Sequence, residues 1–438
     1  MSSCVIGRAK RIVGELRVPG DKSLSHRAAL CAALSEGVSR LHRFSPSLDC
    51  ERTLACLRAL GVPIEIADAE DELTVTIRGV GLEGFAPPER ALDAGNSGST
   101  IRMLAGILAG QPFESTITGD ASLQRRPMDR IVHPLRLMGA SVRVREERYA
   151  PLTIRGGELR PIRYRLPVAS AQVKSCVLLA GLFASGTTIV EEPVPTRDHT
   201  EIMLAEFGAE VSVADGVIAV SGRPRLRARE YRIAGDISSA AFFIAGALAL
   251  PGSHLLVRDV LLNPTRTGFL EALQPWGARI EIENVRWWHG EPVGDVRVIS
   301  SACRERGRAE PLVLSGALIP RVIDEIPLLA VLATQMPGGM LVRDAAELRV
   351  KESDRIRVTV ENLRRMGARV IEYEDGFAIA GPQSLRGAEI EPEGDHRLAM
   401  AFAIAALLAE GETIIRDPEV AAISFPTFFH MLERIVER

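Results

Sequence analysis

Lysine is nearly absent from this chain of 438 residues. Of its 53 cationic side chains, only Lys10, Lys22, Lys174 and Lys351 are lysines, and the rest are arginines. The two residues are not equivalent, because lysine carries a compact ammonium on a flexible stem and arginine carries a planar guanidinium. Three of the lysines, at 22, 174 and 351, lie in polar segments that open a helical stretch or follow a strand. We therefore predict that these lysines mark a functional site, and the alternative is chance survival in an arginine-rich composition.

Other scarcities exclude whole classes of protein. The six cysteines have no Cys-x-x-Cys or nearby histidine spacing, so neither a disulfide framework nor a zinc site is expected, and they are predicted to be small core residues. The net charge is −3 and no basic block is present, which argues against a nucleic-acid partner. The longest apolar runs, 240–250 and 399–409, are about half of the roughly 20 residues that cross a membrane. We expect a cytoplasmic protein of two or three domains, without a membrane segment.

The chain repeats one pattern six times. Each copy is an apolar helical run, a glycine and a short β-like run. The copies span residues 28–41, 101–117, 175–190, 240–257, 326–342 and 398–415. A second element, an amphipathic helix that ends in glycine before a strand, recurs between them at Gly61, Gly139, Gly208, Gly277 and Gly367. Glycine at these positions predicts left-handed helix C-caps.

The two element types predict different surroundings. The run 240–250 is apolar on every face, which predicts a helix buried on all sides. Segments such as 140–145 and 279–283 alternate, which predicts strands with one face toward water. Helices inside and sheets outside satisfy both patterns. With three repeats in each globule, we predict one domain at 23–235 and a second at 1–22 with 236–438, with the active site in the cleft between them.

Polar residues precede each apolar helix, and several of them are more than helix caps. Asp, Ser and Asn are good N-caps, but capping does not require the Lys, Gln, His or Arg residues that accompany them. A helix N-terminus with a nearby cation binds phosphates or carboxylates. We therefore predict an anion site, with simple capping as the alternative. The helix entries are residues 21–27, 95–102, 169–174, 236–239, 324–327 and 395–397.

Five motifs together resemble the signatures of the 5-enolpyruvylshikimate-3-phosphate (EPSP) synthase family, the 3-phosphoshikimate 1-carboxyvinyltransferases. They are PGDKSLSHR at 19–27, GNSGSTIR at 95–102, GDASL at 119–123 followed by RPM at 126–128, RVKESDR at 349–355 and DHR at 395–397. The resemblance runs from about residue 18 to residue 432. It implies an α/β (α+β) protein with a two-domain inside-out α/β fold of six repeated β/α units, helices central and sheets peripheral. It implies no cofactor and no metal.

The resemblance also implies a reaction. Members of the family transfer the enolpyruvyl group of phosphoenolpyruvate to the 5-hydroxyl of shikimate 3-phosphate and release phosphate, a step toward chorismate and the aromatic amino acids. The reaction proceeds by addition and elimination through a tetrahedral intermediate. Motif matching gives Glu352 the role of acid toward the methylene carbon, Asp324 that of base or orienter at the hydroxyl, and Lys22 contact with both substrates. A monomer that acts on these two small molecules is expected.

Binding residues follow from the same motifs. For shikimate 3-phosphate the resemblance implies Lys22, Ser23, Arg27, Ser170, Ala171, Gln172, Arg197, Asp324 and Lys351. For phosphoenolpyruvate it implies Lys22, Asn96, Gly98, Arg126, Gln172, Glu352, Arg355, His396 and Arg397. Lys174 lies one helical turn beyond Ser170, so we expect it to support the loop without touching substrate, whereas Lys10 is expected at the surface.

One position departs from some members of the family, which carry a phosphoenolpyruvate-binding lysine where this chain has Ile423. Together with the segments 170–172 and 196–200, this departure resembles the second sequence class of the family. A smaller cationic clamp predicts weaker binding of phosphoenolpyruvate and of the inhibitor glyphosate at the same site. Gly98 in place of a bulkier residue predicts retained glyphosate sensitivity, so both outcomes stay open.

Two rival functions are considered. UDP-N-acetylglucosamine 1-carboxyvinyltransferases share the fold and the chemistry, but they carry a reactive cysteine before the Arg-Pro pair, and residues 119–126 contain none. A non-catalytic ligand-binding relative is expected to lose Asp324 or Glu352 first, and this chain has both.

Overall fold

A computed structural model describes residues 2–69, 72–300 and 310–438 of the chain. The α-helices are Lys22–Leu34, Leu48–Ala59, Gly98–Ala109, Asp129–Met138, Ala171–Gly181, His199–Glu206, Ile237–Ala249, Gly268–Leu273, Ile319–Val322, Ile326–Ala333, Arg355–Arg365, His396–Leu408 and Phe428–Ile435. Short 3₁₀ helices are Leu123–Arg125, Gln274–Trp276, Gly316–Leu318, Ala346–Val350 and Pro418–Ile423. Among these described residues, no helix combines the length and the apolar character needed to cross a membrane.

The strands are short and numerous. In the N-terminal half they are Glu36–His42, Ile64–Ala69, Glu72–Val80, Leu92–Asp93, Glu114–Thr118, Ser141–Arg145, Tyr149–Arg155, Arg163–Arg165, Thr187–Glu191, Val211–Ala214, Val217–Ser221 and Glu230–Arg232. The others are Ser3–Ile6, Arg11–Leu16, His254–Leu261, Ile280–Trp288, Glu291–Ile299, Leu312–Leu314, Met340–Val342, Val370–Tyr373, Gly376–Ile379, Glu389–Ile390, Thr413–Arg416 and Val436–Glu437.

Contacts divide the chain into two compact units. The N-terminal unit is Gly20–Ile233 together with Trp287–Glu291. The C-terminal unit is Met1–Pro19, Ala234–Arg286 and Pro292–Arg438. The segment Trp287–Glu291 is the tip of a hairpin between two later strands, and nothing in its sequence predicts that it belongs with residues 20–233.

The N-terminal unit contains, in its described part, three four-stranded sheets of one pattern. In the clearest case, Leu92–Asp93 and Glu114–Thr118 pair in parallel, and Tyr149–Arg155 and Ser141–Arg145 complete the sheet with antiparallel pairing. A parallel pair needs a crossover connection, and the helix Gly98–Ala109 provides it. In this sheet, and in the one that contains Arg163–Arg165, the crossover helix therefore begins just after the carboxyl end of a short strand.

The C-terminal unit repeats the pattern with variations. Leu312–Leu314 and Met340–Val342 form a parallel pair across the helix Ile326–Ala333, as Glu389–Ile390 and Thr413–Arg416 do across His396–Leu408. The first long strand of the chain, Arg11–Leu16, pairs in parallel with a strand of this unit, His254–Leu261.

The crossover helices form the core of each unit. Every residue of Ile237–Ala249 is buried, and so are all residues but the last of His396–Leu408. In the N-terminal unit, Gly98–Ala109 packs on Ala171–Gly181 and on Lys22–Leu34. The prediction of buried central helices and peripheral sheets, in an α/β (α+β) fold of repeated units, is confirmed.

Local predictions about glycines and cysteines have clear outcomes. Gly139 and Gly277 are left-handed C-caps with φ of 108° and 71°, and the other three predicted cap glycines also have positive φ. Burial of the thiols raises the pKa of Cys31, Cys50 and Cys56 to about 12, and Cys176 is also buried. Cys4 is only half-buried, and Cys303 lies outside the described residues.

The alternation at 279–283 predicts a strand with one face toward water, and a strand is found at Ile280–Trp288. Its apolar positions are not fully covered, because Ile282 is 43% exposed. The strand Ile280–Trp288 lies at the edge of a five-stranded sheet, where sequence alternation no longer decides which face is covered.

Candidate active site

Three helix N-termini in the N-terminal unit carry most of the residues predicted there. Asp21 caps Lys22–Leu34 by accepting from Leu24 N, Ser97 caps Gly98–Ala109 and Ser170 caps Ala171–Gly181. The predicted N-caps are thus confirmed at these positions. Ser170, Ala171 and Gln172 lie at the cap and in the first turn of the third helix.

Lys22 forms an ion pair that the sequence did not reveal. Its Nζ lies 2.7 Å from Oδ2 of Asp49, and both side chains are largely buried. Asp49 belongs to the first turn of the helix Leu48–Ala59, where an acidic residue is expected to stabilise the helix dipole. Because an acidic residue is common in a first turn, nothing in the sequence indicated that Asp49 pairs with Lys22.

Arg27 is held by neutral oxygens. It is buried and donates to Thr200 Oγ1 at 2.7 Å, to Ser175 Oγ at 2.9 Å and to the Ser23 carbonyl oxygen at 3.0 Å. Arg197 donates to the Ser23 hydroxyl at 3.5 Å. The structure thus brings together three residues predicted for shikimate 3-phosphate, namely 23, 27 and 197. Thr200 and Ser175 were not predicted as part of this group.

Arg126 and Asn96, both predicted for phosphoenolpyruvate, bind each other. The Arg126 guanidinium donates to Asn96 Oδ1 at 2.6 Å and to the Asn96 carbonyl oxygen at 3.1 Å, and a third bond goes to Ser122 Oγ at 3.0 Å. Asn96 donates in turn to Asp120 Oδ2 at 2.7 Å. The turn at 119–122 therefore holds Asn96, which holds the guanidinium.

Gly98 borders two guanidinium groups. A Cβ atom on this residue would lie 2.6 Å from Nη1 of Arg102 and 3.6 Å from Nη1 of Arg126. Arg102 donates to Gln172 Oε1 at 2.7 Å, and Gln172 donates to Ser99 Oγ at 3.1 Å. The absence of a side chain at Gly98 is thus matched to a close approach of arginine. Arg102 was not among the predicted binding residues.

A second cluster lies in the C-terminal unit around Arg355. This guanidinium is 1% exposed and donates to Asp395 Oδ2 at 2.7 Å, to Glu352 Oε2 at 2.6 Å and to Asp324 Oδ1 at 3.3 Å. Burial lowers the pKa of Arg355, but the three carboxylates outweigh burial and raise it above its ordinary value. Arg355 therefore stays charged and joins the predicted acid, Glu352, to the predicted base, Asp324.

Arg397 lies beside the same carboxylate. Its Nη2 is 3.5 Å from Asp324 Oδ2, and its Nη1 is 3.8 Å from Glu325 Oε1. Its backbone N–H donates to Asp395, the residue that caps the helix His396–Leu408. His396 is buried at the first position of that helix.

Asp324, which opens one of the predicted helix entries, lies two residues before its helix. The helix begins at Ile326 with Pro327 in its first turn, and Glu325 lies at the N-cap position without a side-chain capping bond. Because proline fits the first turn of a helix, it sets the start one residue later than the motif suggested. The carboxylate of Asp324 is instead paired with Arg355 and Arg397.

Lys351 lies at the end of the 3₁₀ helix Ala346–Val350 and is half-buried. Burial lowers the pKa of its ammonium, and the nearby carboxylates of Glu347, Asp324 and Glu352 oppose that shift. Lys351 therefore belongs to the electrostatic environment of the predicted acid and base. Ile423, the departure noted above, is half-buried at the end of the 3₁₀ helix Pro418–Ile423.

The predicted residues therefore form two sets. Those of the N-terminal unit are Lys22, Ser23, Arg27, Asn96, Gly98, Arg126, Ser170, Ala171, Gln172 and Arg197. Those of the C-terminal unit are Asp324, Lys351, Glu352, Arg355, His396 and Arg397. The first set can neutralise anions, and the second holds two carboxylates near cations, which suits proton transfer.

Comparisons with known proteins identify the family. Residues 6–432 match the family described as EPSP synthase (3-phosphoshikimate 1-carboxyvinyltransferase). A relative of that name from Solibacter usitatus is 52% identical over 99% of both chains, and one from Desulforudis audaxviator is 53% identical over 98% of both.

Solved structures agree. The EPSP synthase of Acinetobacter baumannii is 42% identical and superposes with a TM-score of 0.85. The match covers 99% of this chain and 98% of that protein. The enolpyruvyl transferase NikO from Streptomyces tendae, at 17% identity and a TM-score of 0.76, covers 99% of this chain and 97% of its own and shares the fold. The chain therefore belongs to the EPSP synthase family.

Proposed function

We propose that the chain transfers the enolpyruvyl group of phosphoenolpyruvate to the 5-hydroxyl of shikimate 3-phosphate and releases phosphate. The observation that carries this proposal is that one buried guanidinium, that of Arg355, donates hydrogen bonds to both Glu352 and Asp324. Addition–elimination needs one group that exchanges a proton with the methylene carbon and another at the hydroxyl. Two carboxylates fixed by one cation meet that need.

The proton inventory assigns the two carboxylates different tasks. In the addition step the 5-hydroxyl oxygen bonds to C2 of phosphoenolpyruvate, its proton passes to Asp324, and Glu352 gives a proton to the methylene carbon. In the elimination step Glu352 takes a proton back from the new methyl group, and phosphate leaves C2. Glu352 thus starts protonated and ends protonated, while the proton from the hydroxyl leaves with the phosphate or the solvent. The charge of Arg355 stabilises Glu352 as a carboxylate between the two steps.

The cations of the N-terminal unit supply the anion-binding side. Arg27 and Arg126 donate to hydroxyl and amide oxygens, and neutral acceptors of this kind do not cancel the charge of a guanidinium. We assign Ser23, Arg27, Arg197 and the first turn 170–172 to shikimate 3-phosphate. Asn96, Gly98 and Arg126 are assigned to phosphoenolpyruvate, and Lys22 to both substrates. On the C-terminal side, Lys351 joins Asp324 toward shikimate 3-phosphate, and Arg355, His396 and Arg397 join Glu352 toward phosphoenolpyruvate.

A phosphate-release assay tests the proposal directly. Purified chain is mixed with phosphoenolpyruvate and shikimate 3-phosphate, and free phosphate and the enolpyruvyl product are followed together. We expect both to appear in equal amounts and neither when shikimate 3-phosphate is left out. Phosphate release when UDP-N-acetylglucosamine replaces shikimate 3-phosphate would favour the UDP-N-acetylglucosamine 1-carboxyvinyltransferase alternative. Binding of shikimate 3-phosphate without any release would favour the non-catalytic relative.

The finer predictions about assembly and location join this proposal. We propose a monomer that acts in the cytoplasm on these two small molecules. Light scattering after gel filtration, with and without both substrates, measures the mass. A mass near 47.5 kDa is expected, and twice that value would contradict the monomer.

A further inference from the structure

Lys174 is buried more completely than the other lysines of this chain. It is fully buried in the helix Ala171–Gly181, and its Nζ lies 2.7 Å from Glu201 Oε1 and 3.0 Å from Glu192 Oε2. Both carboxylates are themselves nearly buried. Burial raises the pKa of Glu201, and the charge of Lys174 opposes that shift. One ammonium therefore holds two buried acids.

The two acids lie at the ends of one segment, residues 192–201. Glu192 follows the strand Thr187–Glu191, and Glu201 lies in the first turn of the helix His199–Glu206. Arg197, assigned above to shikimate 3-phosphate, lies between them. The single ammonium of Lys174 thus fixes both ends of the segment that carries Arg197.

Contacts inside the segment carry this restraint to the binding residues. The hydroxyl of Thr196, the residue before Arg197, donates to Glu192. Thr200, the residue before Glu201, accepts from Arg27 and lies 2.6 Å from the hydroxyl of Ser175, which follows Lys174 in the chain. Glu201 is therefore one residue away from the hydroxyl that binds Arg27, and Glu192 bonds the hydroxyl of the residue that precedes Arg197.

A purely stabilising role explains this arrangement poorly. Removing three charges from water is costly, and apolar residues of similar volume are often at least as stabilising as a buried ion pair. Buried ion pairs can instead select one geometry among several packings. Almost every other cationic residue of the chain is arginine, whereas here a compact ammonium contacts two carboxylates from a single atom.

We propose that Lys174 is a positioning residue for shikimate 3-phosphate, which sets Arg197 and Thr200 by holding Glu192 and Glu201. It acts through these residues and does not touch the substrate itself. The inference rests on the proposed function, because Arg197 and Arg27 are assigned to shikimate 3-phosphate there.

The first experiment measures Lys174→Met in the full chain. We expect the KM for shikimate 3-phosphate to rise about tenfold, the order of one charge-assisted hydrogen bond, with the KM for phosphoenolpyruvate within about twofold. Calorimetric titration with shikimate 3-phosphate alone is expected to show the same loss without any turnover. An unchanged affinity for shikimate 3-phosphate would overturn the inference.

A second variant separates positioning from stability. Lys174→Met combined with Glu192→Gln and Glu201→Gln removes the unpaired buried carboxylates that the single variant leaves. We expect the melting temperature to recover toward the parent value while the KM for shikimate 3-phosphate stays raised. Joint recovery of both quantities would show that Lys174 only stabilises the fold, and the inference would fail.

Leu179→Ala is the matched control. This residue is buried on the same helix and is apolar. We expect a lower melting temperature and an unchanged KM for both substrates. A raised KM for shikimate 3-phosphate would contradict the inference, because it would show that any destabilisation of this helix weakens binding. If the unmodified chain releases no phosphate, the proposed function fails, and the calorimetric comparison then decides about Lys174. Failure of the unmodified chain to bind shikimate 3-phosphate would overturn both.

Discussion

The two units treat their buried arginines in opposite ways. In the N-terminal unit, Arg27 donates to two hydroxyls and a carbonyl oxygen. In the C-terminal unit, Arg355 is surrounded by the carboxylates of Asp395, Glu352 and Asp324. Both guanidiniums are buried, so the difference lies in the charge of their partners.

That difference separates two tasks. A guanidinium bound by neutral oxygens keeps its net charge and can attract a phosphate. A guanidinium bound by three carboxylates has its charge more than balanced, and its main effect is to keep those three groups in place. We infer that Arg27 serves binding, whereas Arg355 serves the groups that exchange protons, whether or not it also contacts phosphoenolpyruvate.

The largest expected effect is on Glu352. Glu352→Gln removes the proton that is given to the methylene carbon, while the amide can still accept from Arg355. We expect turnover to fall about a thousandfold, within the range of general acid–base catalysis, with binding of shikimate 3-phosphate nearly intact. Phosphate release and calorimetric titration measure the two quantities.

Glu361→Gln provides the control for this change. Glu361 lies on the helix Arg355–Arg365 and pairs with Arg357 at its surface. Its variant should release phosphate at the parent rate. If Glu352→Gln also releases phosphate at the parent rate, Glu352 is not the acid. The C-terminal cluster would then not differ from the N-terminal unit by serving proton transfer.

Arg355→Met should cost the most stability. It leaves three carboxylates near one another, and Asp395 among them is fully buried. Loss of one partner from a buried charge cluster costs about 3–5 kcal/mol, which urea denaturation measures as a lower free energy of unfolding. The control Arg357→Met, on the same helix, removes two partly exposed ion pairs, with Glu361 and Glu393, and should cost less than about 1 kcal/mol for each pair.

Arg27→Met tests the other side of the comparison. The hydroxyls of Thr200 and Ser175 lie 2.6 Å apart and keep a hydrogen bond to each other when the guanidinium is removed. We expect a loss of only about 1–2 kcal/mol of unfolding free energy. The KM for shikimate 3-phosphate should nevertheless rise about ten- to a hundredfold, as for a lost charged hydrogen bond.

The pair of variants can break the comparison. Equal losses of stability for Arg27→Met and Arg355→Met would show that the partners' charge does not matter. An unchanged KM in the Arg27→Met chain would show that the neutral surroundings of Arg27 do not serve anion binding.

The features that could be predicted from the sequence are those that depend on residues close together in the chain. The caps at Asp21, Ser97 and Ser170 and the left-handed Gly139 follow from local backbone chemistry, and the structure confirms them. The buried helices follow from runs that have no polar face, as at 237–249.

The partners of the site cations could not be predicted in the same way. Asp49 meets Lys22 from 27 positions away, and Thr200 meets Arg27 from 173 positions away. Such pairs depend on how helices pack, and a single sequence contains no signal for them. Family resemblance supplied the roles of the residues, but it did not supply the carboxylate surroundings of Arg355.

The smallest expected effect concerns Glu325, which lies in the carboxylate-rich cluster. Burial raises the pKa of Glu325, the charge of Asp324 raises it further, and Arg397 opposes both. The folded chain therefore holds this proton at pH values where the unfolded chain has lost it. From its ordinary value of 4.5 upward, Glu325 makes the free energy of unfolding fall as pH rises, until the raised pKa is passed.

Glu325→Gln removes this titration, and its amide oxygen can still accept from Ser238 as the side chain of Glu325 does. As the pH rises above 4.5, we expect the variant to lose less stability than the parent, as urea denaturation at several pH values measures. A parent and a variant with the same pH slope would show that the nearby cations fully compensate burial. The cations of the C-terminal cluster would then fully balance its carboxylates. The cluster would differ from the N-terminal unit only in how its charged groups are arranged.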